Sequence, residues 1–257
     1  MNIGLVLSGG GIRGVAHIGV IKALEEYGIY PTHISGTSAG AIVGALYAGG
    51  VSWGDILEFF KMVPIFHAHR YARRKPGFLD TEKFYDEFKT FFPQDNFNAL
   101  TKNLYITATD ILKGELMIFE EGQLIKPILA SASFPGVFSP IVIEGSFYID
   151  GGVLNNFPVE PLKPHCDKII GSYVNPLKNI LMKDLKHSYN VVERAYKLKS
   201  VSDSLAKFPE CEFVISPNEL SSFATFDMRN IDAIFEIGYT STIKILTDQN
   251  DIQKTRT

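Results

Sequence analysis

Cysteine is nearly missing from this chain: Cys166 and Cys211 are the only two in 257 residues. They lie far apart, and neither stands at ligand spacing from a histidine, so a disulfide scaffold and a thiolate metal cluster are both excluded. The expected state is two reduced packing residues in a cytosolic protein. An excess of positive charge is missing too. The 25 Lys and Arg stand against 28 Asp and Glu, for a net charge of −3. That balance leaves no electrostatic footprint for a nucleic acid. Long apolar runs are also absent. The best, residues 39–51, is broken by glycines and falls short of the roughly 18 residues a membrane span needs. The N-terminus has no basic region ahead of its apolar stretch at 2–7, so no signal peptide is expected. These absences predict a soluble, cytoplasmic protein, and they are compatible with peripheral contact at a membrane surface. No internal repeat or low-complexity linker interrupts the chain, so residues 1–257 read as one domain.

What is present is an ordinary globular balance, 46% hydrophobic. Ile3-Gly4-Leu5-Val6-Leu7 is a continuous apolar run ending in Ser8-Gly9-Gly10-Gly11, the pattern of a buried parallel strand. Val15, Ile18, Ile21, Ala23 and Leu24 then recur at helical spacing until Gly28 closes the helix. A short strand at 33–35 leads into a helix at 39–48. Strand, glycine turn, helix, twice over, opens a βαβ fold. Further on, a helix at 56–62 is broken by Pro64, and a basic stretch at 67–75 carries Arg70, Arg73, Arg74 and Lys75. Leu79-Asp80-Thr81 starts a helix running to about 92. Strands are expected at 104–110, 116–119, 147–150, 168–174 and 212–215, with helices at 124–131, 187–205 and 230–246. The polar tail 247–257 is expected to fray.

Gly36-Thr37-Ser38-Ala39-Gly40 sits at a strand-to-helix junction, the setting of a nucleophile elbow. There the backbone turns so sharply that a serine hydroxyl projects alone, and glycines at 36 and 40 let strand and helix pass closely. The five-residue pattern is weak by itself. Gly50-Val51-Ser52-Trp53-Gly54 repeats it, but without a strand before it. Ser52 with Asp55 reads there as a helix N-cap.

Gly9-Gly10-Gly11-Ile12-Arg13-Gly14 follows the first strand and opens a helix, which is also the context of a dinucleotide loop. That reading wants a carboxylate at the end of the second strand, and His33-Ile34-Ser35 supplies none; a Walker lysine is missing as well. The other reading is an oxyanion hole, in which backbone N–H groups of Gly10 and Gly11 turn toward developing negative charge. Arg13 either braces this loop or is a solvated first-turn residue.

A serine nucleophile needs a proton acceptor. Of the six histidines, His17 reads as packing, His33 as buried in the elbow strand, and His67 and His69 lie in the basic stretch. His187 begins a helix, and His165 is the triad partner best placed in chain order. None stands in a recognisable setting. Asp150 does, at the end of a strand and followed by Gly151-Gly152, because strand ends line the ligand crevice of open α/β sheets. Asp-Gly is equally a common turn pair, and local sequence leaves both readings open.

Taken in order, the loop at 9–14, the elbow at 36–40 and Asp150-Gly151-Gly152 resemble the patatin-like phospholipases, a family of lipid acyl hydrolases. Ala130-Ser131-Ala132-Ser133-Phe134-Pro135-Gly136-Val137-Phe138 agrees, as do Asn156 and Pro158. The resemblance covers about 2–174; nothing diagnostic follows in 175–246. It implies a three-layer α/β/α sandwich with a mainly parallel central sheet and a serine–aspartate dyad without histidine. Ser38 would be the nucleophile, Asp150 the base and residues 9–14 the oxyanion loop, acting on a fatty-acyl ester or phospholipid without metal or cofactor. An acyltransferase, or a non-catalytic nucleotide- or lipid-binding module, remains the alternative. The apolar residues Phe59, Phe60, Met62, Val63, Ile65 and Phe66 beside the basic cluster suggest a membrane contact, or a packed helix with a solvated loop.

Overall fold

Side chains on successive strand residues point to opposite faces, and here both faces are apolar. Leu5, Leu7, Leu104 and Ile106 enter one hydrophobic core, whereas Val6, Tyr105 and Ile169 enter another. A sheet buried on both sides is the consequence, and the strands therefore read as continuous apolar runs. The computed structural model describes residues 1–62 and 76–254. Its eight strands are β1 Ile3–Leu7, β2 His33–Thr37, β3 Asn103–Asp110, β4 Glu115–Phe119, β5 Ile141–Ile143, β6 Ser146–Asp150, β7 Lys168–Ser172 and β8 Phe213–Ile215. They form one sheet in the order β5-β6-β3-β2-β1-β7-β8, with β4 added on β3. Strands β3, β2, β1, β7 and β8 are mutually parallel, and β4, β5 and β6 join antiparallel.

The first core packs under α1 Val15–Glu26, α2 Ala39–Ala48, α3 Trp53–Met62, α4 Tyr85–Phe91, α5 Ile125–Ser131 and α7 Ile231–Lys254. The opposite core is smaller. It is closed by Phe157, Val159, Leu162 and Phe208 from short turns, with α6 Ser188–Leu205 above the Gly151–Val153 turn. Cys166 and Cys211 are free thiols at its margin, and burial pushes them up to about 11 and about 12.

The chain leaves β1 toward β2 on one side and returns to β7 on the other. That reversal opens a crevice at the carboxyl end of β1, where α/β sheets hold ligands. Three expectations change. Strand β5 is an element the sequence pattern did not suggest. Of the tail expected to fray, residues 247–254 continue helix α7, and 255–257 lie outside the described residues. The helix expected from Leu79 begins as a 3-10 turn, Thr81–Phe84, with Asp80 accepting from the Glu82 N–H at 3.3 Å. Pro64, His67, His69, Arg70, Arg73, Arg74, Lys75 and the apolar Val63, Ile65 and Phe66 lie outside the described residues. Among the described residues, no helix is long and apolar enough to cross a membrane.

Candidate active site

Strand β2 ends at Thr37 and α2 begins at Ala39, so Ser38 alone makes the turn. Its φ of 56° and ψ of −123° lie outside the regions an L-residue favours, a strain of about 1–3 kcal/mol that the surroundings must hold. Two features hold it. A Cβ on Gly36 would come within 2.5 Å of the Gly40 carbonyl, and one on Gly40 would strike the Leu7 carbonyl, so both positions admit only glycine. The Ser38 N–H also donates to the Ser131 hydroxyl at 2.8 Å.

The loop leaving β1 runs Gly9 to Gly14. Its Gly9 N–H donates to the Asn156 carbonyl at 3.2 Å, and its Ile12 N–H to the Thr225 carbonyl at 2.8 Å. Gly10 and Gly11, between these anchors, line the same cavity as Ser38. Gly11 has φ +60°, which only glycine adopts freely. Gly14 meets Ala39 at the start of α2, tying loop to elbow. Arg13 is 2% exposed, so it is no solvated residue. Its guanidinium donates to Asn175 Oδ1 at 2.7 Å and to the Phe223 carbonyl at 3.2 Å, bracing the loop against the C-terminal third of the chain. Below the loop, His17 is fully buried between Ser172 Oγ at 2.7 Å and the Ser8 carbonyl at 2.8 Å. Burial lowers it to about 4, so it is neutral at pH 7 and structural.

Asp150 reaches Ser38 through strand register. Thr37, the last residue of β2, pairs with Thr107 of β3; the next β3 residue, Ala108, pairs with Asp150 of β6. Strand β6 thus continues where β2 stops, and the two residues flank one step of β3. The 130–138 segment fixes both backbones, since Ser131 takes the Ser38 N–H and the Ser133 carbonyl takes the Asp150 N–H at 3.0 Å. Asp150 is 2% exposed. Burial raises its carboxyl to about 6 against the opposing pull of hydrogen bonds from Ser38, the Gly152 N–H and Tyr196. The Gly152 bond is 2.8 Å and the Tyr196 bond 3.4 Å, both to Oδ1. Gly151 packs on the Thr107 carbonyl, keeping the turn against β3.

Ser38, Asp150, Gly10, Gly11 and Arg13 therefore share one small polar cavity, of about 20 Å³, room for a single water. Asn156, Asn175, Glu193, Tyr196, Lys197 and Thr225 add to its polar wall, and the Phe134 ring closes it. Five of these lie beyond the recognisable motifs, and only the fold brings them in. Asn156 was visible as part of the resemblance, and its amide donates to the Gly9 carbonyl at 3.4 Å. Among the described residues no histidine lines the cavity. His165 instead stacks between His33 and Tyr105 with ring centroids 5.8 and 5.9 Å away, which removes it as a triad partner.

Ser38 also borders a second cavity of opposite character, about 90 Å³, walled by Ile42, Phe60, Phe138, Phe226 and Met228. A third, also about 90 Å³, shares Ile42, Phe60, Ala132, Phe138 and Met228 with it and extends to Phe84, Phe88 and Leu129. The larger cleft of about 520 Å³ opens by Thr32 and Asn103, at the starts of β2 and β3, and holds none of these residues.

The same mixed α/β fold occurs in VipD from Legionella pneumophila, with a TM-score of 0.61 at 17% identity over 96% of this chain and 67% of that one. Residues 5–163 match the model of the patatin-like phospholipase family, more than half of the chain, and the chain belongs to that family. Relatives include a lysophospholipase NTE1 of Coccidioides immitis, 28% identical over 93% of this chain and 17% of its own length. An uncharacterized NTE family protein of Mycobacterium tuberculosis is 34% identical over 62% of this chain and 45% of its own. The chain thus spans less than half the length of these relatives.

Proposed function

We propose that this protein is a lipid acyl hydrolase working through a Ser38 acyl-enzyme with Asp150 as base. The observation that carries the reading is the position of Ser38 between a polar cavity holding Asp150 and an apolar cavity that adjoins a second one. An ester spanning that boundary puts its acyl chain among Ile42, Phe60 and Phe138 and its carbonyl at the serine. Family membership and the lysophospholipase relative support the same substrate class.

In this mechanism Asp150 accepts the Ser38 proton as Oγ attacks the acyl carbonyl. The negative charge on the tetrahedral oxygen meets the N–H groups of Gly10 and Gly11, a contribution worth about 100- to 1000-fold per donor. As the C–O bond breaks, the leaving alkoxide takes the proton back. Water then repeats the sequence on the acyl-enzyme and releases the fatty acid. A carboxylate is a weaker base than imidazole, and a carboxyl raised to about 6 narrows that gap at neutral pH. Tyr196, donating to the oxygen that also takes the Gly152 N–H, positions the carboxylate.

A fluorophosphonate probe tests the nucleophile: labelling is expected in the native protein and absent in Ser38→Ala, and labelling that persists in the variant overturns the assignment. Ile42→Phe, which narrows both apolar cavities, should lower kcat/KM for long-chain esters by about 10-fold and spare short ones. Equal losses on both lengths would place the acyl chain elsewhere. Product analysis with an added alcohol separates hydrolysis from acyl transfer.

A further inference from the structure

Helix α6 is built inside out. Its inward side carries polar groups: Ser200 and Ser204 are buried, and Glu193, Tyr196 and Lys197 line the polar cavity. Its outward side carries an apolar stripe, with Val191, Val192, Leu198 and Leu205 each about half exposed beside Lys199, Ser202 and Asp203. Positions 191, 198 and 205 recur at helical spacing along one stripe. The segment before α6 continues the pattern, with Leu181 exposed and Met182 94% exposed. A soluble surface normally scatters such residues singly; a contiguous set marks an interaction face.

The charge around this stripe says what it meets. Lys178, Lys183, Lys186 and Lys199 are exposed, against the exposed acids Asp184 and Asp203, the latter 3.9 Å from Lys199, so lysines outnumber acids along positions 178–205. This stands out in a chain of net charge −3. Apolar side chains rimmed by lysines fit a bilayer surface, where the former enter the headgroup boundary and the latter meet anionic lipid. A second copy of the chain fits badly, because an isologous dimer would press this basic rim against itself. Tyr196, on the inner side of the same helix, touches Asp150. A bilayer on the outer side therefore lies about one helix diameter, roughly 10 Å, from the dyad.

We propose that the outer face of α6, with the segment 177–187 before it, is a docking surface for lipid membranes bearing anionic headgroups. The proposal stands apart from the dyad chemistry, and a chemically inert protein tests it. Ser38→Ala protein should sediment with phosphatidylcholine vesicles containing phosphatidylglycerol and not with phosphatidylcholine alone. Raising salt from about 0.1 M to about 0.5 M should weaken the binding. Combined Leu181→Ser, Met182→Ser, Val192→Ser and Leu198→Ser substitutions should lower vesicle partitioning about 100-fold. In the Ser38 background the same substitutions should leave hydrolysis of a water-soluble short-chain ester unchanged, which shows that the fold is intact. Undiminished vesicle binding by this variant overturns the proposal. So does a dimer, seen by sedimentation velocity, that the substitutions dissolve while native protein ignores vesicles. Vesicle binding by a protein that hydrolyses no ester upholds the docking face and strikes the hydrolase reading alone.

Discussion

Ser38 and Ser52 stand in the same five-residue pattern, and their surroundings could hardly differ more. At Ser38 the flanking glycines are pressed between a strand and a helix, the backbone is left-handed, and the serine borders a buried carboxylate. At Ser52 the serine is exposed, its Oγ accepts the Asp55 N–H at 3.2 Å and donates to that carboxylate at 2.6 Å, and helix α3 begins beside it. A Cβ on Gly54 would meet nothing nearer than 3.8 Å. Spacing of residue types is therefore shared by two unrelated local structures. The difference lies in what precedes each: β2 delivers Ser38 under tension, whereas a Gly49-Gly50 break delivers Ser52 relaxed.

The contrast is broken most severely by removing the carboxylate. Asp150→Asn should lower kcat/KM by about 1000-fold and abolish the acid limb of its pH profile. In the native protein that limb should rise through about pH 6, where Asp150 ionises. Tyr196→Phe removes a bond that favours the carboxylate, so the limb should move to higher pH; an unmoved limb would make Tyr196 packing alone. The same burial acts on stability. Because folding raises this carboxyl from 3.8, its contribution is fully present below about pH 4 and is lost as pH rises through about 6. Asp150→Asn should therefore unfold later than the native protein at pH 8, by at most about 3 kcal/mol, measured by urea denaturation.

The glycines give a smaller and cleaner break. Gly40→Ala drives a methyl into the Leu7 carbonyl and should cost at least about 3 kcal/mol in stability. Gly54→Ala, in open space within α3, should gain about 0.5–1 kcal/mol. Similar values for the two would mean that the elbow is not tight. Smallest of all is the cap: Ser52→Ala should cost about 1 kcal/mol in thermal stability and leave ester hydrolysis unchanged. Loss of activity there would erase the distinction between the two serines.

Much of this was legible beforehand because it is local. An apolar run into three glycines, and a short strand into Gly36, state their geometry within a few residues, and α2 falls on the expected 39–48. What was hidden is non-local or short. Strand β5 has three residues and pairs only through the Glu144-Gly145 turn, both at positive φ. Polarity at 247–254 is a property of the side chains, and the backbone there is nonetheless helical. Tyr196, Asn175 and Thr225 carry no motif and reach the cavity only through the fold. Arg13 was undecided because charge alone does not reveal that the C-terminal third covers it.

Strand β3 acts as a caliper for Ser38 and Asp150. It holds β2 along its first half and β6 along its last three residues, so the gap between hydroxyl and carboxylate is measured in β-ladder steps, with the 130–138 segment clamping both backbones. The turn at 111–114 is thus free to lengthen or vary without detuning the pair, whereas Ser131 and Ser133, which hold the two backbones, are not. A slip of a single residue in β6, by contrast, would present Ile149 or Gly151 opposite Ala108 and turn the carboxylate to the far side of the sheet.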